Sequence, residues 1–330
     1  MALGAAGKAE LLALVARSQA GVLMRRLALG PRRPGWPLRT ELAAAAMRAV
    51  VMRSKRRGVH WLRDAQAAVP SVSAAAKRVR FEPIDAGGVP AVWCAPPGAP
   101  PRRIIVYLHG GGYVIGSPAT HRDLLARLAL GAGARVLGVD YRLAPEHRFP
   151  AAHDDCLRAT RWLLAEGADP AALAIAGDSA GGALAVATLC GLRDAGEPLP
   201  AAAALLCPWA DPLADGGSMD ANADADFGDR DLLLGWIGQY APGEQVRDPR
   251  ITLLRAELRG LPPLLVQAGG AEILRDQIDA FVARARAAGV AVHYERVPDL
   301  FHDWQLQAEL LPEGARAIEE IVRFLGEHLK

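Results

Sequence analysis

The chain has 330 residues, room for one or two domains, since α/β cores often pass 250 residues as a single unit. Hydrophobic residues make up 51% and charged residues 22%, with 34 Gly and 24 Pro spread throughout, which excludes disorder, collagen and coiled coil. With 38 Lys and Arg against 36 Asp and Glu, a net charge of +2 gives no field for nucleic acid.

Residues 1 to 66 are rich in Ala, Leu and Arg, and the spacing of Leu11, Leu12, Val15, Leu42, Ala46, Ala49 and Val50 predicts helices broken near Pro31 to Pro37. Lys8, Glu10, Arg17, Arg25 and Arg26 interrupt the apolar residues before a secretion-type run develops, and no apolar run elsewhere approaches the ~20 residues of a membrane span. The expectation is a cytoplasmic protein with no stable membrane insertion. The basic runs Arg53 to Arg57 and Arg102-Arg103 read as solvated surface.

From about Val79 short β-prone runs alternate with Ala-rich amphipathic stretches, the pattern of a mostly parallel sheet with crossover helices. Strands are expected at Val79 to Phe81, Ala91 to Trp93, Ile104 to Leu108, Val136 to Val139, Leu173 to Ala176, Ala203 to Leu206, Leu264 to Gln267 and Val292 to Arg296. Several are continuously apolar, as strands covered on both faces should be. Helices are expected at Thr120 to Leu130, Ala151 to Glu166, Ser179 to Arg193, Asp276 to Ala288 and Gly314 to Leu329. The rhythm breaks between Leu206 and Leu264. An Asp-rich loop, Asp211 to Asp226, leads there to a helix Arg230 to Tyr240 that sets Leu232, Leu233, Trp236, Ile237 and Tyr240 on one face, an insertion over one edge of the sheet. Cys94, Cys156, Cys190 and Cys207 lie far apart and read as buried reduced thiols.

Gly177-Asp178-Ser179-Ala180-Gly181 matches G-x-S-x-G between an apolar strand and an Ala-rich helix, the context in which a serine hydroxyl is raised above the sheet as a nucleophile. His109-Gly110-Gly111-Gly112-Tyr113 follows the third strand, where successive glycines leave backbone amides free to converge on an oxyanion. The order nucleophile, acid, histidine then leaves His293, His302 and His328 as bases. The first falls in a strand and the last at a helix end, so His302, on the loop past the last strand, is preferred. For the acid, Glu272 and Asp276 both follow the strand Leu264 to Gln267, and Asp276 looks more like an N-cap or first-turn residue. Asp211-Pro212-Leu213 comes one strand too early. His153-Asp154-Asp155 points three ways from a helix start and makes no metal site.

These motifs, with Asp140 to His147 leading to Phe149-Pro150-Ala151-Ala152, resemble the hormone-sensitive-lipase-like esterases, the bacterial family IV, from about Val79 to the C-terminus. The resemblance implies an α/β-hydrolase fold: an eight-stranded, mostly parallel sheet flanked by helices, with a helical cap. The cap would come from residues 1–66 and from 211–260 within a catalytic domain 67–330. The family commonly places its acid in Asp-Pro-Leu-x-Asp, which here reads Glu272-Ile273-Leu274-Arg275-Asp276, and a branch that uses Glu supports Glu272. By the same resemblance Gly111, Gly112 and Ala180 donate the oxyanion amides and Gly110 shapes that loop. From the residues themselves, His109 reads as a structural hydrogen-bonding support of the loop, Tyr113, Asp178 and Trp209 are pocket candidates, and the Asp178 side chain should point away from the hydroxyl and serve the local network. Trp236 and Trp304 could line a pocket or pack the core.

The function expected is a serine carboxylesterase acting on small-molecule esters of short to medium acyl chains, with no metal or organic cofactor. Alternatives are an amidase or a specialised metabolite-ester hydrolase on the same triad, and a non-catalytic ligand-binding homologue. Related esterases often pair through their last strands and terminal helices, which gives the expectation of a homodimer.

Overall fold

A computed structural model describes residues 3–69, 73–98, 102–213 and 216–330. The first two residues of the expected N-terminal segment and positions 214 and 215 of the Asp-rich loop lie outside the described residues.

The chain opens with two helices, α1 (Ala5–Leu29) and α2 (Leu38–Ala68), separated by the proline-rich stretch that cannot continue a helix. Within α2, Gly58 adopts φ 81°, so the axis breaks there. Of the apolar positions that mark the first helix, Leu11 is buried, but Leu12 is 72% exposed.

The core strands are β1 (Arg80–Asp85), β2 (Pro90–Ala95), β3 (Ile104–Leu108), β4 (Arg135–Val139), β5 (Leu173–Asp178), β6 (Ala202–Leu206), β7 (Leu264–Gly269) and β8 (Val292–Val297). They form one sheet in the order β1-β2-β4-β3-β5-β6-β7-β8. β2 pairs antiparallel with β1 and β4, and the strands from β4 to β8 run parallel. Each parallel connection passes through a helix: α3 (Arg122–Ala132), α4 (Ala151–Ala165), α5 (Ala180–Asp194) and α8 (Arg275–Ala287), while α9 (Pro312–His328) closes the chain.

Alternation along the central strands sends Val106, Leu108, Leu173 and Ile175 to one face and Ile105, Tyr107, Ala174 and Ala176 to the other. The first face packs under α5 and α8, and the second receives Ile318, Ile321, Phe324 and Leu325 of α9 with Leu124, Leu125 and Leu128 of α3. This two-sided cover is why β5, β6 and β7 are buried throughout, whereas the edge strand β1 is mostly exposed.

The insertion after β6 holds a short helix α6 (Gly217–Ala221), too short to show a helical periodicity, and α7 (Arg230–Tyr240). Asp229 caps α7 by accepting the Leu232 N–H at 2.9 Å, and Leu232, Leu233, Trp236, Ile237 and Tyr240 are buried together. Cys94, Cys156 and Cys207 are buried free thiols; Cys190 is only half-buried.

Candidate active site

β5 ends at Asp178 and α5 begins at Ala180, which leaves Ser179 alone on the turn with φ 51° and ψ −121°. Such a conformation costs a side-chain-bearing residue about 1–3 kcal/mol and persists only where neighbours over-determine it. Here the Ser179 N–H donates to Leu206 O at 2.8 Å, and Ser179 O accepts from the Trp209 N–H at 2.9 Å. Two glycines make the turn sterically possible. A Cβ on Gly181 would sit 1.9 Å from Leu108 O, and one on Gly177 2.5 Å from the Gly181 carbonyl. The N-terminus of α5, with its positive dipole end, opens at the serine.

The loop after β3 carries Gly111 at φ 118°, Gly112 at φ 60° and Tyr113 at φ 65°. The amides of Gly111, Gly112 and Ala180 donate to no protein acceptor among the described residues. Asp178 ties this loop to the serine turn: its Oδ1 accepts the Gly110 N–H at 2.9 Å and the Tyr107 hydroxyl at 2.6 Å, and its Oδ2 lies 3.2 Å from His121 Nε2. Burial alone would raise the Asp178 carboxyl, but the charge of His121 and the hydrogen bonds from His121 and Tyr107 outweigh it and hold it below the ordinary value. Asp178, a pocket candidate by sequence, is buried and braces the loop after β3 against the serine turn. His109 supports the same loop: its Nδ1 meets Gly110 O at 2.8 Å and its ring stacks on Tyr141 at 4.1 Å. Burial, then His121, push its pKa down to about 3, so it stays neutral.

The loops after β7 and β8 interlock. The Gly270 N–H donates to Val297 O at 2.8 Å and the Ala271 N–H to Leu300 O at 2.9 Å, and a Cβ on Gly269 would fall 2.2 Å from Leu300 O. This seam sets fully buried Glu272 beside His302, with Oε2 3.7 Å from Nδ1 while it accepts the Gly269 N–H at 3.1 Å. Asp276 is engaged elsewhere, accepting the Ser218 N–H at 2.8 Å and holding Arg275 at 2.8 Å. Asp211 accepts the Leu213 N–H of its own turn. Exposed His293 lies in β8, and His328 Nδ1 meets Phe324 O at the end of α9. Of the three later histidines, His302 alone meets the acid loop.

Sequence reasoning missed three residues around that imidazole. Asp226, fully buried at the end of the Asp-rich loop, accepts the His302 N–H at 2.9 Å and the Ile273 N–H at 2.7 Å, so one carboxylate clamps both loops. Burial, opposed by His302 and helped by Glu272, pushes its pKa up to about 6. Among the many aspartates of that loop, nothing in the sequence distinguished this one. Asp303, with φ 55°, places Oδ2 3.0 Å from His302 Nε2. Burial disfavours the charged imidazole, but the negative charge of Asp303 3.0 Å away, with Cys207 and Glu272 behind it, holds the His302 pKa well above its ordinary value. Cys207 Sγ lies within 4.8 Å of ligand atoms of His302 and Asp303. This trio is a donor set for a thiophilic cation, yet burial pushes the thiol well above its usual range and keeps it protonated. The Cys207 backbone also connects the two halves, for it lies between Leu206 and Trp209, which both bond to Ser179.

Aromatic rings wall the site. Tyr113 stacks on Tyr240 at 4.2 Å and on Trp209 at 5.8 Å, Phe227 lies 4.7 Å from the His302 ring, and Trp236 of α7 touches the place a Gly112 side chain would occupy. Trp304 is fully buried just past the histidine. Ser179 is only 7% exposed and His302 3%, so the chemistry would run in a nearly dry space. The N-terminal helices hold this roof down. Arg33 reaches Asn222 Oδ1 at 2.6 Å, Arg48 reaches the carbonyls of Asp226 and Gly228 at 2.9 Å, and Arg63 Nε reaches Val114 O at 2.7 Å. Trp36 donates to Asp299 O and packs edge-on against Phe301. The His153-Asp154-Asp155 triplet is dispersed: Asp155 pairs with Arg142 at 2.8 Å, and His153 Nδ1 lies 3.3 Å from Asp154.

Residues 105–306 match the family model of the alpha/beta hydrolase fold. An acetyl-hydrolase of Streptomyces hygroscopicus is 44% identical over 238 residues, 69% of this chain and 78% of that protein. The carboxylesterase NlhH of Mycobacterium tuberculosis is 37% identical over 223 residues, 65% of this chain and 70% of its own length. Among solved structures, an esterase of the bacterial hormone-sensitive lipase family superposes with a TM-score of 0.77 at 40% identity, covering 96% of this chain and 98% of that one.

Proposed function

The chain belongs to the hormone-sensitive-lipase-like esterases of the α/β-hydrolase superfamily and hydrolyses carboxylic esters, and from that premise we propose that Ser179, His302 and Glu272 carry the reaction through an acyl-enzyme. The observation that carries this reading is the buried Glu272 carboxylate beside His302 Nδ1, with the strained Ser179 turn tied to the strand end that abuts the same ring.

Ser179 Oγ attacks the ester carbonyl carbon and its proton passes to His302 Nε2. Glu272 fixes the ring and stabilises the imidazolium. The carbonyl oxygen, now an oxyanion, is met by the amides of Gly111, Gly112 and Ala180, which are aligned before the reaction and lose nothing by reorganising. As the C–O bond breaks, His302 returns the proton to the departing alcohol. Water, deprotonated by the same nitrogen, then cleaves the acyl-serine. His302 Nε2 rests against Asp303, so the working base forms when that contact is exchanged for the serine hydroxyl.

Residues 1–66 and 211–260 act as the cap over the 67–330 catalytic domain, a division that the arginine contacts to Asn222, Asp226 and Gly228 support. Aromatic walls at Tyr113, Trp209, Trp236 and Phe227 over a nearly closed serine favour short to medium acyl chains. The edge position of β8 supports pairing into a homodimer, which light scattering tests by its mass. No described helix is long and apolar enough to cross a membrane, and the charges along α1 support a cytoplasmic place.

A nitrophenyl ester series from acetyl to long acyl chains tests the function. Rates should peak at short chains and vanish in Ser179→Ala with the fold intact; retained turnover in that variant removes Ser179 from the reaction.

A further inference from the structure

α1 is 25 residues long, about 37 Å at 1.5 Å per residue, and uses only one side for the fold. Leu11 and Val22 are its buried residues, Ser18 Oγ donates to Ala45 O, and Gln19 Nε2 donates to Leu42 O, all toward α2. The other side is apolar along its length. Leu12 is 72% exposed, Leu23 46%, Met24 69% and Leu27 85%, and exposed Ala5, Ala9, Ala13, Ala16 and Ala20 fill the spaces between them. At about 100° per residue these positions share one face, so they form a continuous stripe rather than scattered surface leucines.

Cations rim the stripe. Lys8 and Arg17, which flank the stripe on either side at 100° per residue, are exposed and have no carboxylate partner among the described residues. Residues 1–68 carry thirteen Lys and Arg against three Asp and Glu; Arg32, Arg39, Lys55 and Arg63 pair with Asp224, Glu313, Asp229 and Glu146 of the rest of the chain, and Arg26, Arg53 and Arg57 with Glu41 and Glu10 of the helices themselves, which leaves Lys8 and Arg17 as the unpaired positive charge beside the stripe. An uncovered apolar face on a strongly cationic element matches a surface that is apolar within and anionic at its boundary. A second copy of the chain would instead bring two such cationic segments together, against their mutual repulsion.

We infer that the outer face of α1, with its rim of Lys8 and Arg17, docks on an anionic lipid bilayer, lying in the interface without crossing it. The docked helix is coupled to the site, since Arg26 donates to Trp36 O and Trp36 meets Asp299 and Phe301 beside His302. Esters dissolved in lipid would then be delivered next to the cap. Binding does not depend on the triad, so it can be measured in the Ser179→Ala protein as well as in the wild type.

The test is co-sedimentation of the full chain with vesicles of phosphatidylcholine alone and of phosphatidylcholine with phosphatidylglycerol. Binding to the anionic vesicles is expected, weakened by salt. It should fall roughly tenfold or more in Leu23→Glu/Leu27→Glu and in Lys8→Glu/Arg17→Glu. Turnover of a soluble ester should be unchanged in both, which shows that they fold. Absence of binding to anionic vesicles, or equal binding by the variants, overturns the proposal. So does a wild-type mass by light scattering that halves on Leu23→Glu/Leu27→Glu, which would make the stripe a self-association face.

Discussion

Ser179 and the glycine loop after β3 are held from within the parallel sheet, whereas the loops of Glu272 and His302, joined by their own backbone seam, are clamped in addition by side chains that arrive from the insertion and the N-terminal helices. On the serine side, glycines at 177 and 181 leave no room for a Cβ, and the side chains that brace the loop, Asp178, His109 and Tyr141, sit at or just past the ends of the sheet's own strands. On the histidine side, Asp226 and Asn222 of the insertion bond to the loops of Ile273, His302 and Glu272, and Trp36 presses from the N-terminus. The serine half should therefore survive any loosening of the cap, and the histidine half should not.

The strongest test of this contrast is steric. Gly181→Ala forces a Cβ against Leu108 O and should abolish both soluble folded protein and turnover, as followed by circular dichroism and ester hydrolysis. Next in size, Glu272→Gln should lower kcat by about 10³–10⁴-fold, while Asp276→Asn stays within about tenfold of wild type. The opposite ranking would transfer the acid's role to Asp276.

Asp226→Asn sharpens the comparison, because it keeps the shape of the clamp and removes its charge. A displaced imidazole should cost about 10²-fold in kcat with KM little changed, and burst acylation by a nitrophenyl ester should slow in parallel. A wild-type kcat would mean that the insertion covers the histidine without positioning it.

The smallest effect is expected at Asp303. Its carboxylate raises the His302 pKa, and a general base works only when neutral, so activity falls as pH drops through that pKa. Asp303→Asn removes the charge, lowers the pKa and should move the acid limb of kcat/KM toward lower pH. An unmoved limb would show that Asp303 leaves His302 Nε2 in the working enzyme.

The same division governs how much could be read from sequence. The inner strands were legible because a buried strand is a short apolar run bounded by turn residues, and Ile104–Leu108 matches residue for residue. The observed β1 runs on to Asp85, beyond the expected Phe81, because its hairpin with β2 pairs polar as well as apolar residues. The turn at Ser179 and the glycine loop stood out in the sequence because each is a run of fixed residue types over a few positions, and both fall at strand ends in the structure. Asp226 was not, since its partners lie 47 and 76 residues away and its local sequence is one aspartate among several. The exposed stripe of α1 was hidden for a related reason. Leu11 and Leu12 look alike in sequence, and only the placement of α2 decides which is covered.

Trapping the nucleophile tests the central claim most directly. After incubation with a short-chain nitrophenyl phosphonate, mass spectrometry should find one adduct, on the peptide carrying Ser179, formed with release of nitrophenol and far more slowly in Glu272→Gln. An adduct on another residue, or ester turnover that persists with Ser179 unmodified, would contradict the account.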